Sequence, residues 1–371
     1  MTGPGLLGVR HALVGDELVP GDVRVADGRI AAVGVRPAGT RGLAAPGFVD
    51  LQVNGFAGVD FLAAAPDDYA AAGAAIAATG VTAYLPTFIT APEAAYAAAL
   101  GALAAAARAG APGARIVGAH VEGPFLSPAW PGAHDPAHLR APDVALVDRL
   151  RARGPVALMT LAPELPGALE LIRALTARGV VVSCGHSDAE AHTAHAAFDA
   201  GARAVTHLHN AHRRWAHRDP GLGGVALVRP DVTVQAIVDG VHLAPEAAAA
   251  AFLAARDRFS LVTDAMAAAG LGDGGYRLGS RAVRVEGPRA QLDDGTYAGS
   301  VLTMDAAVRN LVALGATEAQ ALLAATRAPA RLLARPGLGE LGPGAVADVV
   351  VLDDRLEVRA TYVGGEPAFT R

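Results

Sequence analysis

Cysteine is nearly missing from this chain: one residue, Cys184, in 371. A single thiol excludes an internal disulfide and a cysteine-rich zinc module. Charge is scarce as well, 18% Asp, Glu, Lys and Arg against roughly 25% in average domains. It also has no basic surplus, since 31 cationic side chains face 36 acidic ones for a formal net charge of −5. A polyanionic backbone would find little to hold it, so we expect no nucleic-acid partner. Long apolar runs are missing too. The longest uncharged stretch, residues 69–92, is broken by Gly73, Gly80 and Pro86, carries four threonines and is otherwise largely alanine. Alanine is a weak substitute for Leu or Ile in a spanning helix. The first ten residues have no basic region followed by an apolar block, so no signal peptide is expected. These absences lead us to expect a soluble, cytoplasmic protein with no membrane partner.

What is present in quantity is small and apolar: 52% hydrophobic residues and 44 glycines. That composition excludes disorder, and glycine lacks the three-residue period of collagen. The two ends of the chain alternate like short strands. Asp27-Gly28 sits between Val23-Arg-Val and Arg29-Ile-Ala-Ala-Val33 as a hairpin signal, and residues 347–363 read the same way. One small β-sandwich domain built from both termini (1–45 plus 336–371) is the expectation. Between the ends, short apolar runs near 49–53, 81–86, 115–121, 156–162, 180–184, 204–208, 232–238 and 259–263 alternate with Ala-rich helical stretches at 67–79, 91–109, 143–153, 165–178, 189–201 and 244–256. Eight strands with crossovers predict a (β/α)8 TIM barrel over 46–335, an α/β fold, with a β insertion at about 270–300. A doubly wound sheet is the alternative, but it offers no reason for eight units.

A barrel carries its chemistry at the C-terminal ends of its strands. Polar residues stand at six of these eight ends: Gln52 and Asn54, Glu122, His186, His207, Asp239 with His242, and Asp264. Each has a bland explanation. Asp264 suits a helix N-cap, Glu122 before Gly-Pro suits a turn, and a lone histidine is more often a hydrogen-bonded or surface residue. Their convergence on one barrel mouth favours function. Glu122, His186 and His207 make a two-His, one-carboxylate set that leaves a catalytic zinc an open position, and Asp264 is the further carboxylate available as general base.

The segments Pro46-Gly-Phe-Val-Asp-Leu-Gln-Val-Asn-Gly55, His120-Val-Glu-Gly-Pro124, Gly185-His-Ser187, Thr206-His-Leu-His-Asn-Ala211, Asp239-Gly-Val-His242, Leu261-Val-Thr-Asp-Ala265, Gly299-Ser-Val-Leu-Thr-Met304 and Ala347-Asp-Val-Val-Val-Leu352 occur in order along the chain. In these the sequence resembles the amidohydrolase superfamily and, within it, the N-acetylglucosamine-6-phosphate deacetylases. The resemblance implies a metal-dependent hydrolase that removes acetate from N-acetylglucosamine 6-phosphate, working as a homodimer on a small sugar phosphate. Most amidohydrolases end the first strand with His-x-His. This chain has Gln52-Val53-Asn54, remnants of a second-metal position, and amides bind zinc poorly. One divalent ion is therefore expected, zinc first, with iron, manganese or cobalt also suited to the ligands.

Carried over residue by residue, the resemblance places Ala133 and His134 by the acetamide, with His134 assisting catalysis. It places Asn210, Ala211, Arg218 and His242 at the phosphate, Asp239 with them, and Tyr297, Ala298 and Gly299 along the sugar. Position 297 is usually small and aliphatic in that group, and Ala211-His-Arg-Arg-Trp215 stands where Ala-Met is common. His212, Arg213 and Arg214 are extra cations that either reinforce an anion site or face solvent, and solvent is the preferred expectation. The same chemistry on N-acetylgalactosamine 6-phosphate or another N-acyl substrate is the near alternative. An inactive amidohydrolase-like scaffold is the distant one, and the intact Glu122, His186, His207 and Asp264 argue against it.

Overall fold

The computed structural model describes residues 5–110 and 113–371. Residues 1–4, the start of the segment read for a leader and of the terminal β unit, lie outside the described residues. At the centre, eight parallel strands follow one another in sequence order: β1 (Phe48–Val53), β2 (Val81–Phe88), β3 (Ala119–Glu122), β4 (Val156–Leu161), β5 (Val181–Cys184), β6 (Ala204–Val205), β7 (Thr233–Ala236) and β8 (Phe259–Leu261). The ring closes where Val53 bridges Ala265 in parallel, with the Asn54 amide donating to the Ala265 carbonyl at 2.7 Å. β1 and β2 are buried at every position, which explains their largely apolar and β-branched sequence, and the exceptions in β1, Asp50 and Gln52, are buried as well.

The barrel predicted from the sequence is thus present, with two local corrections. The run at 115–121 is split into Arg115–Ile116 and β3, because Gly118 between them turns at φ +124°. A Cβ at Gly118 would come within 2.6 Å of the Ala157 side chain. Secondly, the crossover after β6 contains a helix, Gly221–Val228, that the sequence pattern did not reveal. Three glycines in eight residues hide its propensity. Two of them answer to close contacts: a Cβ on Gly223 would meet the His209 ring at 2.9 Å, and one on Gly224 would meet Pro220 and the Trp215 indole.

Below the mouth the barrel interior holds a chain of polar side chains. His120 Nε2 lies 2.8 Å from the Thr160 hydroxyl, which lies 2.7 Å from Thr206, itself 2.6 Å from Ser183. Burial pushes the His120 ring down to about 4, so this floor is neutral.

Strands from both termini form one six-stranded sheet, in the order Glu366–Thr370, Val358–Val363, Val349–Leu352, Arg41–Pro46, Val9–Val14, Glu17–Pro20. A three-stranded sheet that includes Asp22–Ala26 and Arg29–Val35 packs on it through Val9, Val23, Ile30, Ala44 and Val349. Asp27 and Gly28 both have positive φ, the geometry that favours an Asp-Gly hairpin turn. After β8 come β9 (Gly274–Leu278), β10 (Arg281–Glu286) and β11 (Arg289–Gln291), an antiparallel insertion. Its Leu278, Val283 and Val285 pack with Met266, Ile89 and Ala133, so the insertion stands as a wall beside the barrel mouth.

Candidate active site

Three strand ends deliver one cluster. Glu122 is the last residue of β3, while His186 and His207 follow β5 and β6 by two residues each. His186 Nε2 is 3.2 Å and His207 Nε2 3.0 Å from Glu122 Oε1, and the two ring nitrogens are 3.1 Å apart. His186 Nδ1 lies 3.0 Å from the Trp130 carbonyl, an acceptor only, so its proton sits on Nδ1 and Nε2 is bare. A bare nitrogen and a carboxylate oxygen, both lone-pair donors, therefore face each other in a buried site. Such an arrangement favours a cation between them, and the two-His, one-carboxylate set suits a divalent metal. Gln52 Nε2 donates to Glu122 Oε1 at 3.1 Å and Asn54 Nδ2 donates to Asp264 Oδ1 at 2.6 Å. These amides turn N–H groups toward the carboxylates, where a second metal would need lone pairs.

Asp264 does not cap a helix. No helix begins after it, and its side chain is buried at the cavity floor. Burial, with the Glu122 charge adding to it, pushes its carboxyl up to about 6, close to the range useful to a general base. His134 presents the complementary case. Its Nδ1 accepts from the Thr90 backbone N–H at 3.0 Å, which leaves the proton on Nε2, 3.8 Å from Glu122 Oε2. Burial first, and then the His186 ring, push His134 down to about 3, so it is a neutral N–H donor.

Backbone geometry marks the same residues. His186 (φ +49°), His207 (+29°) and Asp264 (+51°) all lie in the left-handed region that side chains other than glycine seldom adopt. Each such residue costs about 1–3 kcal/mol, and such costs concentrate at functional sites. Gly299 makes the Asp264 turn possible, since a Cβ there would stand 2.9 Å from the Asp264 carbonyl. Gly299→Ala is accordingly expected to lower activity by displacing Asp264 while metal content is retained, as steady-state kinetics alongside metal analysis will show.

The cluster lies in a cavity of about 700 Å3. Asn54, Glu122, Ala133, His134, His186, His207, Asn210, Ala211, His242, Asp264, Tyr297 and Gly299, all read from the sequence, line it. Gln52 is buried behind Glu122. Tyr297 lies against the His242 ring, with centroids 5.2 Å apart.

Other expectations need correction. Asp239 is not on the wall; it holds His242, with Oδ2 2.7 Å from Nδ1 and Oδ1 accepting the His242 N–H at 2.8 Å. Ala298 is buried behind the lining. Arg218 is exposed and off the cavity wall. The three residues read as anion-site or solvent-facing behave differently from one another. His212 is buried, Arg213 is half-buried and tied to Asp188, Glu190 and Asp219, and Arg214 is exposed as expected but also lines the cavity with Asn210 and Ala211. Trp130, Thr90 and Arg281 were missed. Trp130, one of two tryptophans in the chain, was the one among them with a compositional signal. Its indole donates to Asp188 at 2.8 Å, which pins the loop whose carbonyl orients His186.

Residues 43–370 match the amidohydrolase family. The chain belongs to that family. Among curated relatives of this amidohydrolase, the human N-acetylglucosamine-6-phosphate deacetylase is 43% identical over 363 residues, covering 92% of this chain and 86% of the human one. The N-acetylgalactosamine-6-phosphate deacetylase of Escherichia coli O157:H7 is 40% identical over 354 residues, covering 93% of this chain and 94% of its own. A mutant N-acetyl-D-glucosamine-6-phosphate deacetylase from Mycobacterium smegmatis, solved in complex with N-acetyl-D-glucosamine-6-phosphate, superimposes with a TM-score of 0.94 at 38% identity over the full length of both chains.

Proposed function

We propose that this amidohydrolase removes acetate from N-acetylglucosamine 6-phosphate, giving glucosamine 6-phosphate. The observation that carries the reading is the placing of one carboxylate poised near neutrality, one neutral histidine N–H and one metal-ligand set around a single cavity. Glu122, His186 and His207 would hold a divalent ion, zinc first, which supplies Lewis acidity to water and to the acetamide oxygen. Asp264, its Oδ1 fixed by Asn54, takes a proton from the attacking water as the new C–O bond forms. It then passes that proton to the sugar nitrogen as the C–N bond breaks. His134 Nε2–H donates to the acetamide oxygen as charge builds there.

His242, Asn210, Ala211 and Arg214 form the end of the cavity we assign to the phosphate. Arg213 is occupied by three carboxylates, whereas Arg214 has none within ion-pair distance among the described residues. Arg214→Ala should raise KM for the phosphorylated sugar about ten- to a hundredfold, the worth of one charge-assisted hydrogen bond, with little change in kcat. Hydrolysis of the unphosphorylated sugar should be unaffected. The homodimer remains part of the proposal, while Arg218, exposed and off the cavity wall, is left out of the phosphate end.

The direct test is acetate release from N-acetylglucosamine 6-phosphate by the metal-loaded protein, with the galacto epimer in parallel. Turnover of the galacto epimer alone would move the assignment to the activity named for the E. coli relative, and no release from either would overturn it. Metal analysis of the same sample should find one divalent ion per chain; two would contradict the reading of Gln52 and Asn54.

A further inference from the structure

Two neighbouring buried histidines beside this site have ring nitrogens without a hydrogen bond. His207 uses Nε2 toward Glu122, but its Nδ1 is buried with no hydrogen bond. His212, 2% exposed, has both ring nitrogens buried without a hydrogen bond. The two ring centroids are 6.0 Å apart. Leaving such nitrogens dry is costly, and a metal-ligating histidine as a rule donates its second N–H to a carboxylate, carbonyl or water. His186 obeys that rule through the Trp130 carbonyl. For His207 the structure offers His212.

The backbone of His212 is held for such a role. His212 bridges Ser187 in parallel, the Ser187 N–H donates to the Ala211 carbonyl at 3.1 Å, and the Arg213 N–H donates to the Ser187 carbonyl at 2.8 Å. His212 is thereby fastened to the residue that follows the His186 ligand. The 6.0 Å between ring centroids admits no direct bond in this geometry, so a link between the two rings has to run through a water, which needs two or more polar partners of this kind.

We infer that His212 is a positioning residue for His207: His207 Nδ1–H donates to one bridging water, which donates in turn to a His212 ring nitrogen, and this fixes the tautomer and tilt of that ligand. The inference rests on the metal-ligand role given to His207 under the proposed function.

The test compares the parent holoenzyme with His212→Met and His212→Gln. Metal affinity is read by chelator competition, the ligand field by the visible absorption of the cobalt-loaded protein, and folding by circular dichroism. His212→Met should bind metal about 10–100-fold more weakly, the usual cost of losing such a partner, and shift the cobalt bands. His212→Gln, which keeps an acceptor oxygen, should recover most of both. Parent-like affinity and bands in His212→Met would overturn the inference. So would equal losses in His212→Met and His212→Gln, which would mark a packing role. None of these readouts involves a sugar, so failure of the deacetylase reading would not be mistaken for failure of this one.

Discussion

Asp264→Asn is expected to leave a folded, metal-loaded protein whose turnover of N-acetylglucosamine 6-phosphate has fallen by about 10²–10⁴, the usual contribution of a positioned general acid–base group. The amide matches the carboxylate in size, and the Asn54 amide can still donate to its oxygen, so the cavity floor stays in place. What is lost is the proton acceptor. The pH profile sharpens the test. Burial raises the Asp264 carboxyl to about 6, and only its ionised form takes a proton, so kcat/KM rises with pH and levels off once the carboxyl is ionised. A cation held by the neighbouring ligands favours the carboxylate, which places this acid limb at or below about pH 6. In Asp264→Asn the limb should disappear. Parent-like turnover, or an unchanged acid limb, would remove Asp264 from its role.

Much of this site was legible in the sequence because barrel topology converts spacing into proximity. Glu122 and Asp264 stand 142 positions apart with His186 and His207 between them, yet each lies at the end of an apolar run, and those runs are strands β3, β5, β6 and β8 of one closed sheet. Strand periodicity says less about loops. The loop at 210–218 folds on itself, with Ala211 at φ +51° and Arg213 locked by three carboxylates from elsewhere in the chain. Arg214 therefore turns toward the cavity and Arg218 away from it, a distinction that Arg-rich composition cannot convey. The helix at Gly221–Val228 was hidden for a related reason, since Gly223 and Gly224 answer to close contacts with His209, Pro220 and Trp215 rather than to helix propensity.

The strained residues link fold to function. The turns that present His186, His207 and Asp264 depart from favoured backbone conformation, so the rest of the barrel must hold them. The Thr160–Thr206–Ser183 hydroxyl chain directly beneath the strand ends, and the Trp130–Asp188 contact above them, provide that restraint from both sides.

Glu122→Gln should abolish measurable activity by emptying the site. Glutamine keeps the length and one acceptor oxygen but removes the negative charge that two imidazoles cannot supply, and an amide is a poor ligand for a divalent ion. Its N–H groups would also be directed at two histidine nitrogens and at the Gln52 amide, a donor that now points to a carboxylate oxygen. Metal analysis after dialysis should find well under one ion per chain, and activity should fall with metal content rather than independently of it. Added zinc at high concentration should restore only part of the activity, whereas the parent stripped by a chelator should recover fully. A Glu122→Gln protein that retains one tightly bound ion would show that the carboxylate is not a ligand. The Asp264 base would then require a different metal position to act upon.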